Sequence, residues 1–117
     1  MATVSSHTLN SVDGTHAGGI TVTLSRMDGD TRTTVFEVVT DAGGRLSEEI
    51  SPQDLRAGAT YEMVFQTGDY FAQMNLPSSG LTILRDVVIR FEMPDPDARY
   101  HLPLMLAPNS YSVWWSS

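Results

Sequence analysis

Apolar residues at every second position, in short segments separated by turn residues, constrain the fold of this chain more than any other feature. Ile20, Val22 and Leu24 alternate with polar residues, and residues 61–65 and 87–91 repeat the pattern. Such alternation is typical of strands with one buried face. Turn-forming residues cluster between the segments, at 13–19, 27–30, 51–59, 76–80 and 93–98. About seven or eight short strands at this spacing predict an antiparallel β-sandwich.

The segment 100–107 predicts a single strand near the end of the chain. Its alternation places three leucines on one face and three other residues on the opposite face: Leu102, Leu104 and Leu106 against His101, Pro103 and Met105. The leucine face is expected to join the core, which leaves His101 facing solvent or another subunit. Because a proline donates no backbone hydrogen bond, the strand is expected to be irregular, or at a sheet edge, at Pro103.

Two further segments complete the predicted elements. Residues 34–40 are β-branched and aromatic and end at the turn sequence DAGG, which indicates another strand. Residues 67–74, TGDYFAQM, predict one or two helical turns, with Thr67 as the N-terminal cap.

Composition narrows the class of protein. A chain of 117 residues is predicted to form one domain, residues 1–117. The net charge of −7, without a cluster of basic residues, argues against a nucleic-acid partner. The absence of cysteine excludes disulfides and thiolate chemistry. No apolar run is long enough to span a membrane and no signal peptide is apparent, so a soluble, cytoplasmic protein is expected.

Several segments, in order and nearly end to end, resemble one family. They are SSHTLNSVDGTHAGGITVTL, TDAGGR, TYEMVFQTGDYFA and VIRFEMPDPDARYHLPLMLAPNSYS. In this combination the chain resembles the 5-hydroxyisourate hydrolases, the transthyretin-like enzymes of urate degradation in purine metabolism. The resemblance implies a sandwich of two four-stranded sheets with one short helix. It also implies a homotetramer built around a central channel, with the active sites at the channel mouths.

The resemblance also implies the site residues. His7, Arg45 and His101 match the histidine, arginine and histidine that the family uses, and they are predicted to be catalytic. The family ends in Tyr-Arg-Gly-Ser, and four different residues are predicted to bind substrate in those places: Trp114, Trp115, Ser116 and Ser117. Indole therefore replaces guanidinium at Trp115, which removes a fixed positive charge and leaves a flat apolar face.

The chemistry of such a site can be stated from the residue types. Hydrolysis of a cyclic amide needs a base for water, an acid for the leaving nitrogen and positive charge near the oxyanion. Two histidines and an arginine supply all three without a cofactor or a metal. Arg45 has a second interpretation, an exposed ion pair with Glu48 or Glu49. His16, in a glycine-rich turn, is expected to be a surface side chain without a role.

The sequence thus favours a hydrolase of the 5-hydroxyisourate hydrolase type, acting on a small molecule. Two alternatives remain open. One is a repurposed enzyme that opens, cyclises or isomerises a different small molecule in specialised metabolism, and the other is a non-catalytic channel that binds an aromatic ligand. A face carrying His101, Pro103, Met105 and Trp115 would be largely apolar on a monomer, so it is predicted to lie at the subunit junctions of a homotetramer.

Overall fold

The computed structural model describes residues 1–74 and 83–117, which form nine strands, one short α-helix and a 3₁₀ turn at Pro52–Asp54. The strands and helix are β1 (Ala2–Asn10), β2 (Thr21–Asp28), β3 (Thr31–Val39), β4 (Arg45–Ile50), β5 (Thr60–Phe65), α1 (Thr67–Ala72), β6 (Val87–Phe91), β7 (Arg99–His101), β8 (Leu104–Ala107) and β9 (Ser110–Val113). The turn predicted at residues 76–80 lies outside the described residues.

The strands form two sheets. The first has the order β4-β1-β8-β9, with β7 also paired to β1, and the second has the order β3-β2-β5-β6. Because β7 and β8 occupy consecutive parts of the same edge of β1, each sheet is four strands wide. The predicted sandwich of two four-stranded sheets with one short helix is therefore confirmed. The pairings of β1 with β7 and β8 are parallel, and the other pairings are antiparallel.

The core lies where the alternating apolar residues predicted it. On β2 and β5 the inward-facing side chains are fully buried, namely Val22, Leu24, Tyr61, Met63 and Phe65. The first sheet contributes Val4, Ile50, Leu104 and Leu106. Burial of one such side chain stabilises the folded state by about 1.5–3 kcal/mol, so the two apolar faces account for the packing of one sheet on the other.

The segment 100–107 is two strands rather than the single strand predicted. Leu102 and Pro103 separate β7 from β8, because Pro103 has no N–H to continue the ladder. Leu102 still donates its N–H to the Ser5 carbonyl, at 2.9 Å, and both strands keep one register along β1. The three leucines are buried as predicted. Pro103 is buried too, although the alternation placed it on the opposite face from the leucines.

The predicted helix is confirmed, but its predicted cap is wrong. α1 begins at Thr67, so the residue in the cap position is Gln66, and it forms no side-chain capping bond. The Thr67 hydroxyl instead donates to the Arg85 carbonyl, at 3.0 Å. The helix begins one residue earlier than the Thr67 cap required, and the hydroxyl thus ties α1 to the segment that leads into β6.

β1 lacks the apolar alternation of the other strands. Its inward positions include Ser6, Thr8 and Asn10, all of which are buried. Each donates a side-chain hydrogen bond to a group elsewhere in the chain. Ser6 donates to the Leu102 carbonyl, Thr8 donates to the Ala17 and Gly44 carbonyls, and Asn10 donates to the Tyr70 hydroxyl. A buried polar group is tolerated when it is hydrogen-bonded in this way.

No helix within residues 1–74 and 83–117 combines the length and the apolar character that crossing a membrane requires. The cytoplasmic location stays a prediction.

The turn at residues 41–44 determines where β4 begins. The Asp41 carboxylate accepts hydrogen bonds from the backbone N–H groups of Gly43 and Arg45, both at 2.9 Å. Gly44 has a φ of 75°, in the region that favours glycine, and a Cβ at this position would overlap the carbonyl oxygen of Thr8. The turn can therefore approach β1 closely only with glycine at position 44, and Arg45 follows directly.

We expect Gly44→Ala to lower the free energy of unfolding by about 2–4 kcal/mol, because backbone strain and overlap with Thr8 act together. Gly58→Ala is the matched control: Gly58 has a φ of 81°, but a Cβ there would meet no atom within 4 Å. Chemical denaturation of both variants measures the difference. Equal losses would show that strain alone acts at position 44.

A buried carboxylate holds the outer side of the second sheet together. Glu62 on β5 is buried, and it accepts hydrogen bonds from Arg32 at 2.7 Å and from Arg90 at 2.9 Å. The hydrogen bonds from these two guanidinium groups lower the pKa of Glu62, against the opposing effect of burial. The ionised form is therefore the one that stabilises the folded state.

We expect Glu62→Gln to lower the free energy of unfolding by about 1–3 kcal/mol at neutral pH, because a charge-assisted bond to each arginine is lost. A carboxylate with a lowered pKa in the folded state stabilises it above the ordinary value of 4.5, and this contribution disappears as the pH falls through the folded-state pKa. The difference between wild type and variant should therefore shrink on acidification.

The control for this prediction is Glu92→Gln, which changes an exposed carboxylate that makes no ion pair in the described part of the chain. Denaturant unfolding across the acidic range compares the two variants. A difference for Glu62→Gln that is the same at neutral and at low pH would contradict the assignment.

Candidate functional site

Three predicted site residues lie on the outer face of the first sheet. His7 on β1 is paired directly with Arg45 on β4. Two positions earlier on the same face, Ser5 lies between Ser47 on β4 and His101 on β7. Residues paired across neighbouring strands share a face. The fold therefore brings together His7, Arg45 and His101, which are far apart in sequence.

A surface cavity of about 350 Å³ opens on this face. Its polar lining comprises Ser5, Ser6, Asp41, Arg45, Ser47, Arg99 and His101. Arg99 lines the cavity because it lies two positions before His101 on β7, where it pairs with Thr3 of β1. His7 is not among the lining residues, since its ring is directed towards the turn that contains His16. Of the predicted site residues, Arg45 and His101 thus line the cavity, and His7 lies beside it.

His101 is oriented by a serine of the neighbouring strand. Its Nδ1 lies 2.8 Å from the Ser5 hydroxyl, and the ring is partly buried. The His101 backbone also exchanges two hydrogen bonds with Ser116, at 3.0 and 2.9 Å. With Nδ1 engaged by Ser5, Nε2 is the nitrogen that can exchange a proton with a molecule in the cavity.

His7 contacts a second histidine that the sequence did not connect with it. His7 Nε2 lies 2.9 Å from His16 Nδ1, and the two rings are stacked with centroids 5.0 Å apart. His16 is a surface residue as expected, but it has a specific partner. Partial burial lowers the pKa of His7, the positive charges of Arg45, His16 and His101 lower it further, and a hydrogen bond with the Gly43 backbone opposes the shift. His7 is therefore suited to be uncharged near neutral pH.

The arginines divide into two groups. Five of the 7 basic residues pair with carboxylates in the described parts of the chain, and they are Arg26, Arg32, Arg56, Arg85 and Arg90. Arg45 and Arg99 form no such pair in those parts, and both line the cavity. The alternative interpretation of Arg45, an ion pair with Glu48 or Glu49, is not what the structure shows. Although the net charge of the chain is −7, these two arginines give the cavity a local positive charge.

The C-terminal tail runs beside His101, but its register corrects one prediction. Leu104 pairs with Val113 and His101 with Ser116, a register that places Trp114 opposite Pro103 and Trp115 opposite Leu102. The Trp114 N–H accordingly points to the Pro103 carbonyl, at 3.4 Å. Trp114, rather than Trp115, therefore shares the face of His101.

The tail residues predicted to bind substrate remain at the edge of the site. Trp114 and Trp115 are 49% and 59% exposed, and Ser117 is exposed as well. Neither they nor Ser116 lines the cavity. Substrate binding by these four residues stays a prediction.

Sequence reasoning missed Ser5, His16 and Arg99. Arg99 had a usable signal, because its spacing of two from His101 places both on one face of a strand. Ser5 and His16 had none, since their contacts depend on a pairing of distant segments and on a loop that folds back. No three histidine or acidic side chains in residues 1–74 and 83–117 are grouped so that they could hold a metal ion.

Comparison with known proteins agrees with this architecture. A family model described as the HIUase/Transthyretin family matches residues 4–115. The 5-hydroxyisourate hydrolase of Deinococcus radiodurans is 35% identical over 114 residues, which are 97% of this chain and 95% of the relative. The solved 5-hydroxyisourate hydrolase of Klebsiella pneumoniae is 33% identical, covers 100% of both chains and superposes with a TM-score of 0.77.

A solved (S)-allantoin synthase superposes with a TM-score of 0.85 at 29% identity. It covers 99% of this chain, but the chain spans only 44% of that protein. The full-length matches confirm the predicted resemblance and the predicted enzyme class, a hydrolase. The chain belongs to the HIUase/Transthyretin family.

Proposed function

We propose that this protein hydrolyses 5-hydroxyisourate, opening its ring as a step of urate degradation, at the outer face of the first sheet. The observation that carries the proposal is the convergence of His7, Arg45 and His101 on one face. Full-length relatives named 5-hydroxyisourate hydrolase support the choice of substrate.

The cavity residues suit the hydrolysis of a cyclic amide. His101 Nε2 takes a proton from water as the water oxygen attacks the ring carbonyl, and it then gives that proton to the leaving nitrogen as the C–N bond breaks. Arg45 donates to the carbonyl oxygen as that oxygen becomes negative, and its charge stabilises the tetrahedral intermediate. Ser5, held at 2.8 Å from His101 Nδ1, keeps the ring in position during both proton transfers.

Arg99 extends this site towards substrate binding. It lines the same cavity as Arg45 and, within the described residues, has no carboxylate partner to neutralise it. A flat, anionic ureide offers oxygen acceptors on more than one edge, and two separate guanidinium groups can bind two of them. In this proposal Arg99 contributes to binding, whereas Arg45 lies beside the reacting carbonyl.

The working form is proposed to be a homotetramer with this face at the subunit junctions. Met105 and Trp114, which share the face of His101, are 41% and 49% exposed in the single chain. Exposed apolar side chains close together on one surface favour association. Residues of a neighbouring subunit would then cover the cavity and bring the tail against the substrate.

A different small-molecule substrate is the second candidate. The observation that favours it is the tail, where Trp114 and Trp115 stand in place of the Tyr and Arg of the family pattern. An indole offers stacking and one N–H in place of a fixed charge, which suits a flatter and less polar ring. The two candidates share the histidine-arginine chemistry and differ in the molecule that is bound.

We expect the purified protein to hydrolyse freshly generated 5-hydroxyisourate, followed by its ultraviolet absorbance, and His101→Asn to lower kcat about 10²- to 10⁴-fold. Asparagine retains a polar group near the position of Nδ1 for Ser5 but cannot carry the proton. The control is Val39→Thr, an exposed change on the second sheet. Absence of turnover by the wild type would rule out this substrate and favour the second candidate.

We expect Arg99→Gln to raise KM about three- to tenfold with little change in kcat, because an exposed guanidinium contributes modestly to binding an anion. Arg85→Gln is the matched control, since Arg85 is also exposed but pairs with Asp69 at 3.6 Å. Steady-state kinetics of both variants on 5-hydroxyisourate provide the measurement. A fall in kcat at unchanged KM would contradict a binding role for Arg99.

A further inference from the structure

His16 lies outside the cavity, yet its side chain is hydrogen-bonded to His7 and stacked on it. The two imidazoles are joined by a 2.9 Å bond between His7 Nε2 and His16 Nδ1, and they stack at 5.0 Å with 28° between the ring planes. A backbone bridge between Leu9 and His16 fixes the turn against β1. The contact is thus anchored by the main chain rather than made by two mobile side chains.

The hydrogen bonds determine where the protons of this pair reside. His7 also bonds to the Gly43 backbone. Since Nε2 is directed towards His16, the nitrogen that donates to Gly43 is Nδ1. A neutral imidazole carries one hydrogen, so His7 Nε2 must accept and His16 Nδ1 must donate. Among the described residues, His16 Nε2 is then the one ring nitrogen of the four without a partner.

We infer that His16 is a positioning residue for His7, holding its ring in one orientation and in the Nδ1–H tautomer. This inference rests on the proposed function for its catalytic meaning, but the contact that carries it does not depend on the substrate.

Proton uptake by the pair follows from this arrangement. An incoming proton forms a bond at His16 Nε2, and His16 carries the positive charge while its Nδ1–H still donates to His7 Nε2. His7 stays neutral, donating from Nδ1 to Gly43 and accepting at Nε2. A charge on His7 would lie beside Arg45 and near His101, which also act to lower its pKa. The charge therefore stays on His16, and His7 remains unprotonated to lower pH than an isolated histidine.

This arrangement has a consequence for the reaction. The working form of the site in this inference is the one with neutral His7, and a lowered pKa keeps His7 neutral as the medium becomes acidic. Removal of His16 takes away one of the positive neighbours, so the pKa of His7 should rise towards its ordinary value. Activity should then be lost at the acidic side of the pH profile, with little change on the alkaline side.

The test uses histidine-labelled protein and nitrogen NMR, which is straightforward because the chain has 3 histidines. His16→Phe keeps the stacked ring but removes the donor, whereas His16→Asn retains an amide donor near the position of Nδ1. We expect wild-type His7 to be the Nδ1–H tautomer, His16→Phe to shift it towards the Nε2–H tautomer and raise its pKa, and His16→Asn to restore the Nδ1–H tautomer. Val12→Ala, an exposed change in the same turn, is the control.

The second measurement on these variants is kcat/KM for 5-hydroxyisourate as a function of pH. We expect His16→Phe to lose about three- to tenfold near pH 6 and to recover near pH 8, with His16→Asn between it and the wild type. A tautomer and a pKa of His7 that are identical in wild type and His16→Phe would overturn the inference. Failure of the wild type to turn over 5-hydroxyisourate would overturn the proposed function only, because the NMR measurement decides the role of His16 without a substrate.

Discussion

The hydroxyl of Thr8 shares its one hydrogen between the carbonyl oxygens of Ala17 and Gly44, at 2.7 and 3.1 Å. Its backbone binds the same two residues, since Thr8 N–H donates to Gly44 and Ala17 N–H donates to Thr8. Thr8 follows His7 in the chain, while Ala17 and Gly44 are the immediate neighbours of His16 and Arg45. One buried residue therefore fixes two loops against β1 and places three side chains of the site side by side. The outer face depends on this inner contact.

The polar interior of β1 extends the same principle along the strand. Ser6 donates to the Leu102 carbonyl at 2.6 Å, and Asn10 donates to the Tyr70 hydroxyl at 3.1 Å. These bonds attach the break between β7 and β8, and the helix α1, to a strand at the centre of the sheet. Buried hydrogen bonds add little net stability, but they are costly to leave unmade, so they select one arrangement of the loops. The apolar faces of the sheets provide the driving force, and β1 determines which segments meet there.

Charge is distributed so that the site stays cationic on an acidic protein. In the described ranges, carboxylates pair with five of the 7 basic residues at other places. Arg45 and Arg99 remain without a carboxylate partner in the described ranges, and Asp41, which lines the same cavity, directs its carboxylate to backbone N–H groups. The lowered pKa of His7 is one result of this positive surrounding. An uncharged imidazole next to fixed positive charge is consistent with the proposed function.

By itself the sequence determined the inward faces of most strands, the position of the short helix and the family, because alternation, turn residues and motif order are local properties. It also placed His101 on an outward face, and the same spacing of two placed Arg99 beside it. Only the tertiary structure decided that β1 lies between β4 and β7, with Ser5 against His101 across 96 residues of sequence. The tertiary structure also brought His16 into contact with His7, and it placed Trp114, rather than Trp115, on the same face as His101. The reason is physical: the period of a strand fixes which side a residue faces, whereas the choice of neighbouring strand, register and loop path comes from long-range packing and hydrogen bonding that no local pattern encodes.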